Sequence, residues 1–168
     1  FSDIIPDSIN KLDNKKKSLL RVFHQVRNNE FEKVKKFYDS MNVKSEVKTF
    51  FYNLPELLNN SHLLISRSGA STVAEVAATK TPAIFIPFYH SIDDDQRLNT
   101  IELEKIGQVI VKKEKNLDSN QLYKLIDELI EKPERLEKMA QSNKEIVLNN
   151  SSKNIKSIID DLLSNREI

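Results

Sequence analysis

The side chains best suited to chemistry gather in four short segments. Ser68-Gly69-Ala70-Ser71-Thr72 combines small residues, hydroxyls and one of only two glycines in the chain, directly after the apolar run Leu63-Leu64-Ile65. A turn of this kind between a buried run and a helix leaves backbone N–H groups free to meet an anion, helped by the helix dipole. An ordinary capped helix start has the same composition, because Ser and Thr are preferred caps. Glu75 fits two roles: Thr72-Val73-Ala74-Glu75 has the pattern of a capping box, and a carboxylate near a phosphate turn can accept hydrogen bonds from ribose hydroxyls.

The other three segments are looser. His24 suits general acid–base work near neutral pH, or it orients a loop as a partly buried histidine. Phe51 can lie beside a base or pack in the core. In the polar stretch Tyr89 to Gln96, the residues His90, Asp93 and Asp95 fit a hard cation, and they fit an acidic loop capping the next helix equally well. Gln96 can donate and accept hydrogen bonds, which suits sugar hydroxyls.

The elements that must position these groups follow from periodicity. Residues 2–13 read as an amphipathic helix carrying Ile4, Ile5, Ile9 and Leu12. Lys15-Lys16-Lys17 reads as a solvated turn. Strands are expected at 19–23, at 47–51, at 63–66, at 82–87 between two prolines, and at 108–111. Helices are expected at 30–41, 54–60, 71–79 and 97–106, the last ended by Gly107 in a positive-φ conformation. Lys112-Lys113-Glu114-Lys115 reads as a solvated loop. Asp118 caps a helix through Ile130, Pro133 starts one through about Lys144, and Ser151 or Ser152 starts the last, with Ile155, Ile158, Ile159, Leu162 and Leu163 on one face. Strands alternating with helices predict an α/β fold, a parallel sheet with helices on both faces. All four polar segments would then share the carboxyl rim of that sheet, where open α/β sheets bind ligands.

Bulk properties narrow the function classes. The chain has 168 residues, 39% hydrophobic and 30% charged, enough for one domain with a real core. A net charge of +1 gives no whole-molecule field for nucleic acid. The absence of cysteine excludes disulfides and thiolate chemistry. No apolar run approaches the roughly 18 residues of a membrane span, and no signal peptide is visible, so a cytoplasmic protein is the default reading. The chain opens on a helix under way at Phe1-Ser2-Asp3-Ile4-Ile5-Pro6, although an α/β unit normally begins with a strand. A fragment with its first strand missing is therefore expected.

Ser66 to Glu75, Pro82 to Phe88, His90, Asp94-Asp95-Gln96 and Asn99 together resemble the MurG family of UDP-N-acetylglucosamine transferases. His24-Gln25 and Phe50-Phe51 fall in family order. The resemblance covers nearly the whole chain but only the C-terminal, donor-binding half of the enzyme, a Rossmann-like doubly wound domain of a GT-B glycosyltransferase. It implies that residues 1–168 are one UDP-GlcNAc-binding domain with a helical C-terminal part at about 118–164, and that the N-terminal acceptor domain and the catalytic base are absent. By the same resemblance Phe51 presents its backbone to uracil, Ala70, Ser71, Thr72, Val73 and Ala74 form the helix start at the pyrophosphate and sugar, and Glu75 binds the ribose hydroxyls. Gln96 holds the GlcNAc ring, with Ser68, Gly69 and Asp95 beside the donor. Two positions depart from the pattern: Arg27 where the family often has Gly, and Asp95 where it commonly has His or Gln. The implied reaction makes lipid II from undecaprenyl-linked lipid I in peptidoglycan synthesis, by peripheral contact with the cytoplasmic face of the bacterial inner membrane. Neither metal, cofactor nor nucleic acid is expected, and the fragment alone is expected to be inactive. Another GT-B transferase, acting on diacylglycerol or a dolichol-linked sugar, and a nucleotide-binding module without chemistry are the alternatives.

Overall fold

The computed structural model describes residues 1–88, 95–142 and 156–161. In chain order the elements are α1 (Ile4–Asn10), α2 (Asn14–Leu19), β1 (Arg21–Gln25), α3 (Phe31–Ser40), β2 (Lys44–Lys48), α4 (Leu54–Asn59), β3 (Leu64–Ser66), α5 (Ala70–Thr79) and β4 (Ala83–Phe85). They continue with α6 (Asp95–Leu98), α7 (Ile101–Lys105), β5 (Val109–Val111), α8 (Ser119–Glu131) and α9 (Pro133–Gln141). Residues 156–161 are helical. His90, Asp93, Asp94, the end of the helix expected to Lys144, and Ile155, Leu162 and Leu163 lie outside the described residues.

The fold is α/β with parallel strands, as the alternation predicts. The strands do not form one sheet. β1 and β2 pair in parallel from Arg21 opposite Lys44 to Gln25 opposite Lys48. β3, β4 and β5 pair in parallel as a separate three-stranded sheet in that order. β4 is buried on both faces and divides its side chains by alternation. Ala83 and Phe85 pack with Val73, Val76 and Ala77 of α5 and Leu103 of α7. Ile84 and Ile86 face the larger core, shared with Ile5 and Ile9 of α1, Val34 and Tyr38 of α3, Val47 of β2 and Leu122, Ile126 and Leu129 of α8. One core therefore underlies both sheets.

Several boundaries differ from the sequence reading, each for a local reason. The first helix ends at Asn10, and the lysines form a helix of their own. Asp13 caps α2 by accepting from the Lys16 N–H at 2.8 Å, and Lys16 Nζ reaches Asp127 at 2.5 Å and Glu131 at 2.7 Å on α8. β2 begins at Lys44, three residues before the apolar start that the pattern suggested. It is an edge strand, where Lys44, Glu46 and Lys48 can keep their charges in water. The helix expected over 97–106 breaks after Leu98: Thr100 Oγ1 donates to the Arg97 carbonyl at 2.7 Å, and the Asn99 amide bonds outside the helix. Gly107 has φ of 82° and ends α7 as expected. Asp118 caps α8 in a full capping box with Gln121.

Candidate functional site

The site is built at the carboxyl end of β3. α5 begins at Ala70, with Gly69 as its N-cap at φ −60°. Gly69 thus takes a conformation open to any residue, and its use is the lack of a side chain. No side-chain bond caps the helix, and the first intrahelical bond at this end runs from the Val73 N–H to the Gly69 carbonyl at 3.0 Å. The N–H groups of Ala70, Ser71 and Thr72 consequently have no partner among the described residues. Ala70 and Ser71 are exposed and Thr72 is half-buried, so the positive end of a ten-residue helix opens to solvent.

The early helix start moves Thr72 inside α5, so Thr72-Val73-Ala74-Glu75 is not a capping box. Glu75 is half-buried, and its carboxylate makes no hydrogen bond or ion pair among the described residues. The Val73 side chain packs into the core, whereas Ala74 is exposed.

The Gln96 loop is fastened to this turn. Ser68 is fully buried; its Oγ donates to the Gln96 carbonyl at 2.8 Å, and its carbonyl accepts from Asn99 Nδ2 at 3.1 Å. Ser68 therefore works as a clamp. The Phe88 N–H donates to Gln96 Oε1 at 3.0 Å, which turns the amide NH2 of Gln96 away as a donor. Asp95 is exposed and accepts from the Gln96 N–H at 2.8 Å, so its carboxylate shapes the start of α6.

Arg67, which sequence reasoning passed over, ties the rim together. Its guanidinium donates to the carbonyls of Ile86 at 3.1 Å and Pro87 at 3.3 Å and pairs with Glu114. It also stacks 4.6 Å from the Phe1 ring and 5.3 Å from the Phe88 ring. The signal for it was a cation placed directly after a buried strand. Glu114, expected in a solvated loop, is the carboxylate that holds it.

Phe51 and His24 belong to the β1–β2 side. The Phe51 ring is buried and stands edge-on to Phe23 at 6.2 Å, so only its backbone is available to a ligand. His24 is 6% exposed, its Nδ1 lies 3.0 Å from the Tyr38 hydroxyl, and its Nε2 is buried without a partner. Its pKa is pushed down to about 4 by burial. A neutral, enclosed imidazole orients its surroundings and is not offered to a substrate. Among the described residues no cluster of three His, Cys, Asp or Glu side chains could hold a metal ion.

Comparison with known proteins bears on the family and the fold. The model of the glycosyltransferase family 28 C-terminal domain matches residues 1–162. The UDP-N-acetylglucosamine--N-acetylmuramyl-(pentapeptide) pyrophosphoryl-undecaprenol N-acetylglucosamine transferase of Caulobacter vibrioides strain NA1000 / CB15N is 36% identical over 160 residues, covering 95% of this chain and 44% of its own length. The enzyme of the same name from Bartonella quintana strain Toulouse is 33% identical over 168 residues, covering 100% of this chain and 44% of its own length. A crystal structure of MurG from Acinetobacter baumannii is similar with a TM-score of 0.84 at 23% identity, over 95% of this chain and 47% of that one. The glycosyltransferase VinC, solved in complex with DTDP, follows with a TM-score of 0.59 at 15% identity, over 85% of this chain and 33% of that one. These likenesses bear on the fold, a Rossmann-like half of a GT-B architecture. The chain spans less than half the length of the curated relatives quoted. With its matched span and its open helix start after a parallel strand, this chain belongs to the glycosyltransferase family 28 C-terminal domain family.

Proposed function

We propose that the chain is the donor-binding half of an inverting glycosyltransferase. The longer protein would move GlcNAc from UDP-GlcNAc to the C4 hydroxyl of the muramyl sugar of undecaprenyl-pyrophosphoryl-MurNAc-pentapeptide, turning lipid I into lipid II. The observation that carries the reading is the bond from Ser68 to the Gln96 carbonyl, which fastens the Gln96 loop to the turn that opens three helix N–H groups. In this reading the N–H groups of Ala70, Ser71 and Thr72 take the pyrophosphate, and the bare Gly69 lets it approach. Glu75 accepts from the ribose hydroxyls, the Gln96 NH2 donates to the GlcNAc ring, and the Phe51 backbone meets the uracil.

The chemistry follows from these positions. The acceptor oxygen attacks the anomeric carbon as the bond from that carbon to the β-phosphate oxygen breaks. The electron pair leaves with UDP, and the proton of the acceptor hydroxyl passes to a base. Negative charge grows on UDP in the transition state, where the start of α5 stabilises it. The base is assigned to the acceptor-binding half of the longer protein, as the family resemblance implies; His24, enclosed and neutral, does not serve. The isolated chain is therefore inactive and binds UDP weakly. The longer protein works peripherally at the cytoplasmic membrane face; among the described residues no helix is long and apolar enough to cross a membrane.

A second reading, a nucleotide-binding module without chemistry, draws on that missing base. Calorimetric titration with UDP-GlcNAc, UDP-glucose and UDP separates the two. Tighter binding of the N-acetyl sugar supports the transferase half, and equal affinity for all three supports the module.

A further inference from the structure

Where the backbone ladder between β3 and β4 stops, a side chain takes over. The Ile86 N–H donates to the Ser66 carbonyl at 2.9 Å, one residue past the end of β4. Pro87 has no N–H with which to extend the ladder. The Arg67 guanidinium fills in, donating to the carbonyls of Ile86 at 3.1 Å and Pro87 at 3.3 Å. A guanidinium is a planar fork of five donors, so it can hold two carbonyls and still pair with a carboxylate. That carboxylate is Glu114, just after β5.

The fork reaches the candidate site in two steps. The Phe88 ring lies against the guanidinium, with 5.3 Å from Cζ to the ring centroid. The Phe88 N–H donates to Gln96 Oε1 at 3.0 Å. The two ends of a glutamine amide have nearly the same shape, and its surroundings decide which end is the oxygen. Ser68 places Gln96 by its backbone carbonyl, at 2.8 Å, and the Phe88 N–H decides that the NH2 is the end left for a ligand. Glu114, Arg67, Phe88 and Gln96 thus form one relay from the end of β5 to the start of α6. The side chains of Arg67 and Glu114 are 31% and 37% exposed, where an ion pair adds little to stability. What the pair fixes is position.

We propose that Arg67, held by Glu114, is a positioning residue that sets the orientation of the Gln96 amide and so gives the site its preference for a sugar nucleotide over the bare nucleotide. The inference rests on the reading of Gln96 as a contact to the donor sugar. The N–H groups of Ala70, Ser71 and Thr72 are oriented by α5 itself and lie outside the relay. UDP affinity is therefore insensitive to Arg67, and the affinity added by the sugar is the quantity that responds.

The test is calorimetric titration of the longer protein with UDP and with UDP-GlcNAc, read as the ratio of the two affinities. Arg67→Lys keeps the charge and loses the fork. It is expected to hold UDP affinity within about twofold and to lower the ratio roughly tenfold, the worth of one well-placed hydrogen bond. Gln96→Ala is expected to lower the ratio by about the same factor, and Arg67→Lys to add nothing to it in the double variant, because the two act as one unit. A ratio unchanged in Arg67→Lys would overturn the proposal. So would an equal loss for both ligands, or losses that multiply in the double variant. Glu114→Gln keeps the shape and removes the charge at an exposed position. It is expected to melt within a degree or two of the parent and to lower the ratio about threefold. If Arg67→Lys does not fold, Glu114→Gln decides, and an unchanged ratio there overturns the proposal. A ratio that Gln96→Ala leaves unchanged would overturn the reading of Gln96 as a sugar contact, and this inference with it.

Discussion

At the residue scale the account rests on one polar side chain, Glu75, and one buried ring, His24. Glu75 has no structural partner among the described residues, so its removal separates binding from folding. Glu75→Gln is expected to leave the melting temperature of the longer protein within a degree or two, and to weaken UDP-GlcNAc binding by roughly ten- to a hundredfold, the loss of charge-assisted hydrogen bonds to the ribose. Calorimetry on both variants checks this; a large drop in melting temperature with unchanged affinity would return Glu75 to a structural role. His24 makes a prediction about pH. Its pKa is about 4 in the folded chain against an ordinary 6.5, so between those values the unfolded chain binds a proton that the folded chain refuses. Stability is unaffected above pH 6.5, falls by roughly 3 kcal/mol as pH drops to 4, and changes no further from this cause below it. In urea melts at pH 4, 5, 6 and 7, His24→Gln should flatten that slope, and an unchanged slope would refute the assignment.

At the scale of single elements, α5 carries the most information. Its uncapped start is an opportunity for an anion and a small cost to the helix. Gly69→Asp has room, since a Cβ there meets nothing within 4 Å. The carboxylate would cap the open N–H groups and repel phosphate at the same point. The variant is expected to be as stable as the parent or a few tenths of a kcal/mol more stable, with UDP binding reduced by roughly tenfold or more. Thermal melts and a UDP titration check both halves, and retained binding would remove the anion from this helix.

The same element shows what could be read from the sequence and what could not. The turn at Gly69, the stop at Gly107 and the cap at Asp118 were legible because each is chemistry confined to a few neighbouring residues. The capping box at Thr72 failed by register, since the helix starts at Ala70 and leaves Thr72 within its first turn. β2 was displaced because an edge strand tolerates Lys and Glu, which hides it from an apolar pattern. Arg67 was missed because its partners, Glu114, Phe88, Phe1 and the end of β4, are distant in sequence. The clamp from Ser68 to Gln96 needed the fold for the same reason.

At the scale of the whole molecule, two parallel sheets share one core and one rim. Periodicity announced the parallel α/β class, which the pairing of β1 with β2 and of β3 with β4 and β5 bears out. The rim joins α5 to the Gln96 loop through Ser68 and Asn99, and it joins both sheets through residues 1–3. The proposed function requires that these loops, 28 residues apart in sequence, form one site for a sugar nucleotide. The most direct measurement is a map of amide chemical shifts as UDP-GlcNAc is added to the isotope-labelled chain. The account predicts that the backbone amides of Ala70, Ser71 and Thr72 and the side-chain NH2 of Gln96 shift together along one saturation curve. Shifts confined to other parts of the chain, or a response at α5 with none at Gln96, would contradict it.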